Sequence, residues 1–423
     1  MSAGFSFAVS GDLHLDSPLS GYEPQQAEYL KNKQLKSLMD LCKYCKSNKL
    51  DYLFLCGDIF DNLKPEKALL REVQQSFRLC EQTQVIIVPG NHDPYFPGAF
   101  WDDPDWPANL IIIKKANCYL DFEQHKLCIY SSPFISQSSS YSLFETFNPP
   151  LDKHKFNLLL LHGDLLSSGS ESRYNPIPLE WLKESGLDLA LFGHIHSSSE
   201  LQKVAHTHYL YPGTLMGRGF DECGSKGFYV GKVKFTALNN LPSRNELEIS
   251  FVPLRNARFH TLSTPLQNFA ETASLEEGLA QYLEKQILAS SFNPERDFFR
   301  IILEGTTAEK IETAYLKAYL EDKVQYLEIL DHSLPELNLH NYLHSEDLAQ
   351  YVARICLSLR EQISAKEEIF ISKEENIDLH STEGEAYAYL AEQWKKLYSQ
   401  TDTQDKLKIL RAAEEKIFRY WVD

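Results

Sequence analysis

The 423-residue chain contains no apolar run approaching the 18 or more residues that cross a bilayer, so no membrane association is expected. Its opening, MSAGFSFAVSGDLH, lacks both a basic segment and a cleavable apolar stretch; it reads as a strand running into polar residues, and a cytoplasmic location is the expectation. No P-loop, internal repeat or low-complexity tract is present. Cysteine is sparse and unpatterned: the eight thiols (42, 45, 56, 80, 118, 128, 223 and 356) show no framework spacing, which suits free thiols in a reducing compartment. The single CxxC, Cys42 with Cys45, has no second CxxC or nearby His pair to complete a zinc site. It falls in the helical pattern LKSLMDLCKYCKSNKL, where both thiols belong to an apolar face. Excess positive charge is also missing. The net charge is −17, with about −4 over residues 1–260 and about −13 over the rest, so a nucleic acid could be met only by a local basic patch.

What remains is an ordinary globular composition, 43% hydrophobic and 24% charged, on a chain long enough for two or three domains. The first 200 residues repeat one design, an apolar run followed by a polar cluster. The runs are FSFAVSGDLH, DYLFLCGD, QVIIVPGNHD, FNLLLLHGD and LDLALFGHIH. Continuous apolar strands of this length fit sheets buried on both faces, with helical stretches at 25–48 and 65–81 as crossovers: an α/β pattern. The shorter pieces LIIIKK, KLCIYSS, HYLYPG, GFYVGKVKF and ELEISFVPL lack long helical gaps and are expected to form the second sheet of a sandwich.

In such sheets ligands bind beyond the carboxyl ends of the strands, and every long run ends there in groups able to hold a metal. They are Asp12 and His14, then Asp58, then Asn91, His92 and Asp93, then His162, then His194 and His196. In the last, Gly193 is expected to permit the turn that lets two imidazoles approach one point. Carboxylate and amide oxygens mixed with imidazole nitrogens, and no thiolate, suit two divalent cations: Mn²⁺ foremost, Fe²⁺ or Zn²⁺ as alternatives. Asp58, alone on the central turn, is the natural bridge. Singly, DxH, GNHD or GHIH could each be a plain turn; five such clusters, each directly after a buried strand, are not coincidence.

This ordered set resembles the calcineurin-like metallophosphoesterase superfamily, over roughly residues 5–255. The resemblance implies a β-sandwich flanked by helices, with Asp12, His14 and His196 on a first metal, Asn91, His162 and His194 on a second, and Asp58 between them. A hydroxide between the metals would attack phosphorus, while His92 protonates the leaving oxygen and Asp93 orients its ring. Protein phosphatases of the superfamily carry an Arg where GDIFDNL has Asn62. HLDSPL after Asp12 and the segment YPGTLMGRGFDECGSKGFYV are similar instead to the SbcD/YhaO group of DNA repair exonucleases. That likeness implies a nuclease domain at 1–258, a small α+β capping domain at 259–335, and a helical region at 336–423 that docks an SbcC/YhaN-type, SMC-like coiled-coil ATPase. It also implies a homodimer through helices near 65–81. The alternative is a phosphoesterase acting on a nucleotide or cyclic nucleotide.

Several residues bear on DNA directly. Arg218 and Lys226 are placed to meet phosphate. The aromatic loop PYFPGAFWDDPDWP is expected to be a packed lid rather than a base-stacking platform, because carboxylates at 102, 103 and 105 would repel a backbone. Six lysines between 31 and 49 read as a solvated helix face, and His206 and His208 as neighbours of the site outside its ligand set. Leu348, Val352, Ile355, Leu359 and Ile363 recur at helical spacing in the tail.

Overall fold

The computed structural model describes residues 4–142, 151–167, 170–238, 241–269, 274–289, 291–307 and 311–335, together with 353, 354, 356 and 357. The tail periodicity beginning at Leu348 lies outside the described residues. The chain forms two compact units, Met1–Leu262 with Tyr282–Ile301 and Lys317–Glu328, and Ser263–Gln281 with Ile302–Leu316 and the described residues from Ile329 onward.

Two six-stranded sheets build the first unit. In one, Gly4–Ser10, Tyr52–Leu55, Gln84–Ile87 and Leu110–Ile112 run parallel, and the long hairpin Gly227–Leu238 and Leu241–Pro253 closes the side beyond Gly4–Ser10. In the other, Phe156–His162 pairs in parallel with Leu189–Gly193 and with Leu127–Ser131. The sheets meet through alternate side chains: Phe5, Phe7, Val9, Phe54 and Ile86 face Ile129, Leu158, Leu160 and Leu191. The opposite face of the first sheet, through Ala8, Leu53, Leu55 and Val85, packs on two helices by Leu38, Leu41, Val73 and Phe77. The result is a β-sandwich with helical cover, which is why its strands read as unbroken apolar runs rather than alternating ones.

Both crossover helices form where their spacing placed them, at Pro24–Asn48 and Lys67–Arg78. The longer starts with Pro24 in its first turn, and the Gln26 side chain accepts the Glu23 N–H at 3.3 Å. Cys42 and Cys45 are buried on its apolar face. The division of strands differs from the expected one. Leu110–Ile112 and the long hairpin join the first sheet, while Phe156–His162 and Leu189–Gly193 belong to the second. Since both sheets are covered on both faces, hydrophobic pattern carries no information about which sheet a strand enters. Further along, Phe259–Pro265, Phe298–Thr307 and Tyr326–Pro335 form a three-stranded sheet, with the helix Thr313–Leu320 between the last two strands. Among the described residues no helix is long and apolar enough to cross a membrane.

Candidate metal centre

Parallel pairing sends the carboxyl ends of Gly4–Ser10, Tyr52–Leu55 and Gln84–Ile87 to one edge of the first sheet, and those of Phe156–His162 and Leu189–Gly193 to one edge of the second. The loops leaving these ends are stitched together. The Asp12 N–H donates to Gly57 O and the His14 N–H to Asp58 O, both at 2.9 Å, and the His194 N–H donates to Asp12 Oδ1 at 2.8 Å. Four of the converging residues have left-handed backbone: Asp12 (φ 52°), His14 (44°), Asp58 (51°) and His194 (100°). Strain of about 1–3 kcal/mol each is tolerated only where surroundings enforce it, and it clusters at functional sites. The expected role of Gly193 changes accordingly. The unusual φ belongs to His194, and glycine is needed at 193 because a Cβ there would overlap the Cys56 carbonyl oxygen.

All seven expected ligands come together. Asp12, His14 and His196 form one cluster and Asp58, His162 and His194 another, with candidate ligand atoms in each within 4.8 Å of one another. Asn91 Oδ1 is 2.9 Å from His162 Nε2. Asp58 Oδ2 lies between the clusters, 3.7 Å from His14 Nε2 and 3.4 Å from His162 Nε2. Three imidazoles have Nδ1 engaged behind them, which leaves Nε2 facing inward. Their Nδ1 partners are Asp61 Oδ1 for His14 (2.8 Å), Cys56 O for His162 (2.8 Å) and Glu222 Oε1 for His196 (2.6 Å).

These residues fit divalent cations on the structure's own terms. The inward nitrogens of His14 and His196 stand 3.0 Å apart, and Asp12 Oδ2 is buried with no hydrogen-bond partner, a costly arrangement for a carboxylate unless a cation meets it. Charge coupling is strong even without ions. Burial opposes ionisation of Asp58, but His162, His14 and His92 together hold its carboxyl far below the usual range. Burial likewise opposes protonation of His162, yet Asp58 beside it pushes the imidazole up to about 9.

Residues 5–198 match the calcineurin-like phosphoesterase family. The matched segment contains every expected metal ligand, from Asp12 to His196. Solved structures similar to the chain include the TT1561 protein of Thermus thermophilus (13% identity, 50% of this chain and 90% of that one, TM-score 0.31). A dimetal phosphatase from Danio rerio is 12% identical over 60% of this chain and 99% of its own, with TM-score 0.33. The purple acid phosphatase PPD1 of yellow lupin is 14% identical over 55% of this chain and 50% of its own, with TM-score 0.34.

Beside the two clusters, the side chain that meets His92 is Asp61, not Asp93. Asp61 Oδ1 lies 3.0 Å from His92 Nδ1, and this contact, with Asp58 nearby, raises the imidazole's pKa against the effect of burial. Asp93 points the other way, into the protein. Its Oδ1 accepts the N–H groups of Gly90 (2.7 Å) and Asp58 (3.2 Å), and its Oδ2 those of Ile59 (2.6 Å) and Phe60 (3.2 Å). Asp93→Ala would strand these buried donors at about 1–3 kcal/mol apiece, so a loss of several kcal/mol is expected in denaturant unfolding. A change below about 1 kcal/mol would contradict this role.

Arg218 lies beside the site, with Nη2 3.1 Å from Glu222 Oε1 and Nη1 3.9 Å from Asp61 Oδ1. Lys226 does not. It is buried, and its Nζ donates to His196 O at 3.3 Å, so it holds the histidine turn from behind. His206 and His208 lie at the far end of the sheet, where His208 pairs with Leu189 at the start of its strand, and His206 Nε2 meets Asp188 Oδ1 at 3.3 Å. The aromatic loop packs: Trp101 is fully buried and donates through Nε1 to Asp93 O at 2.6 Å, with Phe60, Phe100 and Trp106 around it.

Sequence reasoning missed Asp61, Asp164, whose Oδ1 lies 3.6 Å from His194 Nε2, and Glu222. The second aspartate of GDIFD and the acidic residue following His162-Gly163 were visible signals for the first two. For Glu222, burial is opposed by His196 and Arg218, which bring the carboxyl down to about 2. Glu222→Gln should weaken Mn²⁺ binding about 10- to 100-fold by calorimetry, as loss of a group behind a metal histidine does. Unchanged affinity would show that the contact does not support His196.

Proposed function

We propose that the chain is a two-metal phosphodiesterase acting on DNA, with Mn²⁺ as its working ion. The observation that carries the reading is the placement of Asp58 Oδ2 between two Asp/His clusters. Asp12, His14 and Asp58 would hold ions, and the His92 side chain, 44% exposed, is accessible to a substrate. The SbcD/YhaO likeness of the 211–230 segment supports DNA over a small nucleotide. Two divalent cations, when bound, acidify water and neutralise charge growing on phosphorus. Protonated His92, oriented by Asp61, then gives its proton to the departing ester oxygen as the P–O bond breaks. Arg218, beside Asp61 and Glu222, would bind a non-bridging oxygen.

One assay series tests the reading: linear single- and double-stranded DNA beside bis-p-nitrophenyl phosphate and 2′,3′-cyclic nucleotides, with Mn²⁺ or chelator. Mn²⁺-dependent DNA cleavage is expected, and cleavage of the small substrates alone would overturn DNA as substrate. The mechanism predicts a pH effect as well. Asp61 raises the pKa of His92, and the acid acts only while protonated, so activity should fall as pH rises through that pKa. Asp61→Asn removes the main cause, and the alkaline limb of the kcat/KM profile should move to lower pH. An unmoved limb would exclude His92 as the acid.

In this reading residues 336–423 dock the coiled-coil ATPase and the helix Lys67–Arg78 serves a homodimer. Truncation of 340–423 should abolish ATPase association.

A further inference from the structure

We infer that the loop 170–176 is a subsite for the nucleoside next to the scissile phosphate, with Tyr174 as the residue that stacks on its base. The inference rests on the phosphodiesterase reading of the neighbouring metal centre and adds a specificity determinant to it.

The Tyr174 ring lies 4.6 Å from that of His194, tilted by 36°, yet the residue remains 38% exposed. One side therefore packs at the metal centre while the rest of an aromatic surface is offered to solvent. Its backbone is pinned on both sides. Tyr174 O accepts the Asp164 N–H at 3.0 Å, the Tyr174 N–H donates to Ser172 Oγ at 2.9 Å, and the flanking residues tie to Ser139 through Ser139 N–H to Arg173 O (2.8 Å) and Asn175 N–H to Ser139 O (2.9 Å). An aromatic ring displayed on a fixed backbone is preorganised to stack, since little freedom is lost on binding. Ile195, 41% exposed between the two histidines of the turn, adds apolar surface on the chain segment that carries His194.

The same loop lines a cavity of about 550 Å³, through Ser170, Glu171, Ser172, Arg173 and Pro176 with Ser140. That volume is within the range that takes small ligands. Arg173, the one cation among its described lining residues, suits a phosphate, and Glu171 can accept from a base amino group or sugar hydroxyl. An aromatic face at the metal centre, on a loop that also lines a polar recess holding Arg173, matches a nucleoside phosphate better than an alkyl or peptidyl one.

The test uses the full chain with Mn²⁺ and two esters that share a leaving group, thymidine 5′-(p-nitrophenyl phosphate) and methyl p-nitrophenyl phosphate. Stacking on one base is worth about 1–3 kcal/mol, so Tyr174→Ala should reduce the thymidine-to-methyl ratio of kcat/KM about 5- to 150-fold. Tyr174→Phe, which keeps the ring face, should hold the ratio within about twofold. Equal losses on both esters, or loss of bound metal in Tyr174→Ala, would overturn the inference and reduce Tyr174 to a support for His194. Failure of the wild type on both esters would instead overturn the phosphodiesterase reading. The subsite is then decided by titration with thymidine 5′-monophosphate: weaker binding to Tyr174→Ala upholds it, and equal binding refutes it.

Discussion

Asp58→Asn should lower kcat/KM by about 10³-fold or more and reduce bound Mn²⁺ from two ions to one or none. The substitution is nearly isosteric, and the amide oxygen can still accept the His92 N–H that Asp58 Oδ1 accepts at 2.9 Å. What it removes is the negative charge on the oxygen between His14 and His162. A bridge must neutralise part of two like charges a few ångströms apart, which a neutral amide cannot do. Several kcal/mol of transition-state stabilisation disappear with the second ion, and each 1.36 kcal/mol is tenfold in rate. Two bound ions with activity inside a tenfold range would show that Asp58 is not the bridge.

The second large effect separates chemistry from metal binding. His92→Ala should retain two Mn²⁺ ions and lose about 10²- to 10⁴-fold in turnover, the range for removal of a positioned general acid. His92 is absent from the two clusters that Asp58 joins but forms a third group of candidate ligands with His14 and Asp61, so the variant tests directly whether the metals need it. Its imidazole meets Asp61, and the ring lies edge-on to His14, at 4.8 Å. An inactive variant that has also lost its ions would place His92 in the metal scaffold instead. A substrate with a good leaving group sharpens the test, since p-nitrophenolate needs little protonation and its cleavage should suffer less.

The metal centre was legible because each ligand motif is contiguous and follows a strand whose apolar run is unmistakable. Asp12-Leu13-His14 and Gly193-His194-Ile195-His196 announce themselves without any knowledge of how the strands pair. The partners behind the ligands were not legible, because their roles depend on where a side chain points. Asp93 adjoins His92 in sequence but turns inward to cap the Asp58 loop, while Asp61, some thirty positions earlier, reaches both His14 and His92. Lys226 failed in the same way: close to the site in sequence terms, it is buried behind the histidine turn. The allocation of strands to sheets was hidden for a different reason, since a strand covered on both faces has the same composition in either sheet.

Anomalous diffraction from crystals grown with Mn²⁺ tests the central claim most directly. Two peaks about 3.5–4 Å apart are predicted, one bounded by Asp12, His14 and His196, the other by Asn91, His162 and His194, with an Asp58 oxygen on both. A single peak, or peaks away from Asp58, would contradict the account.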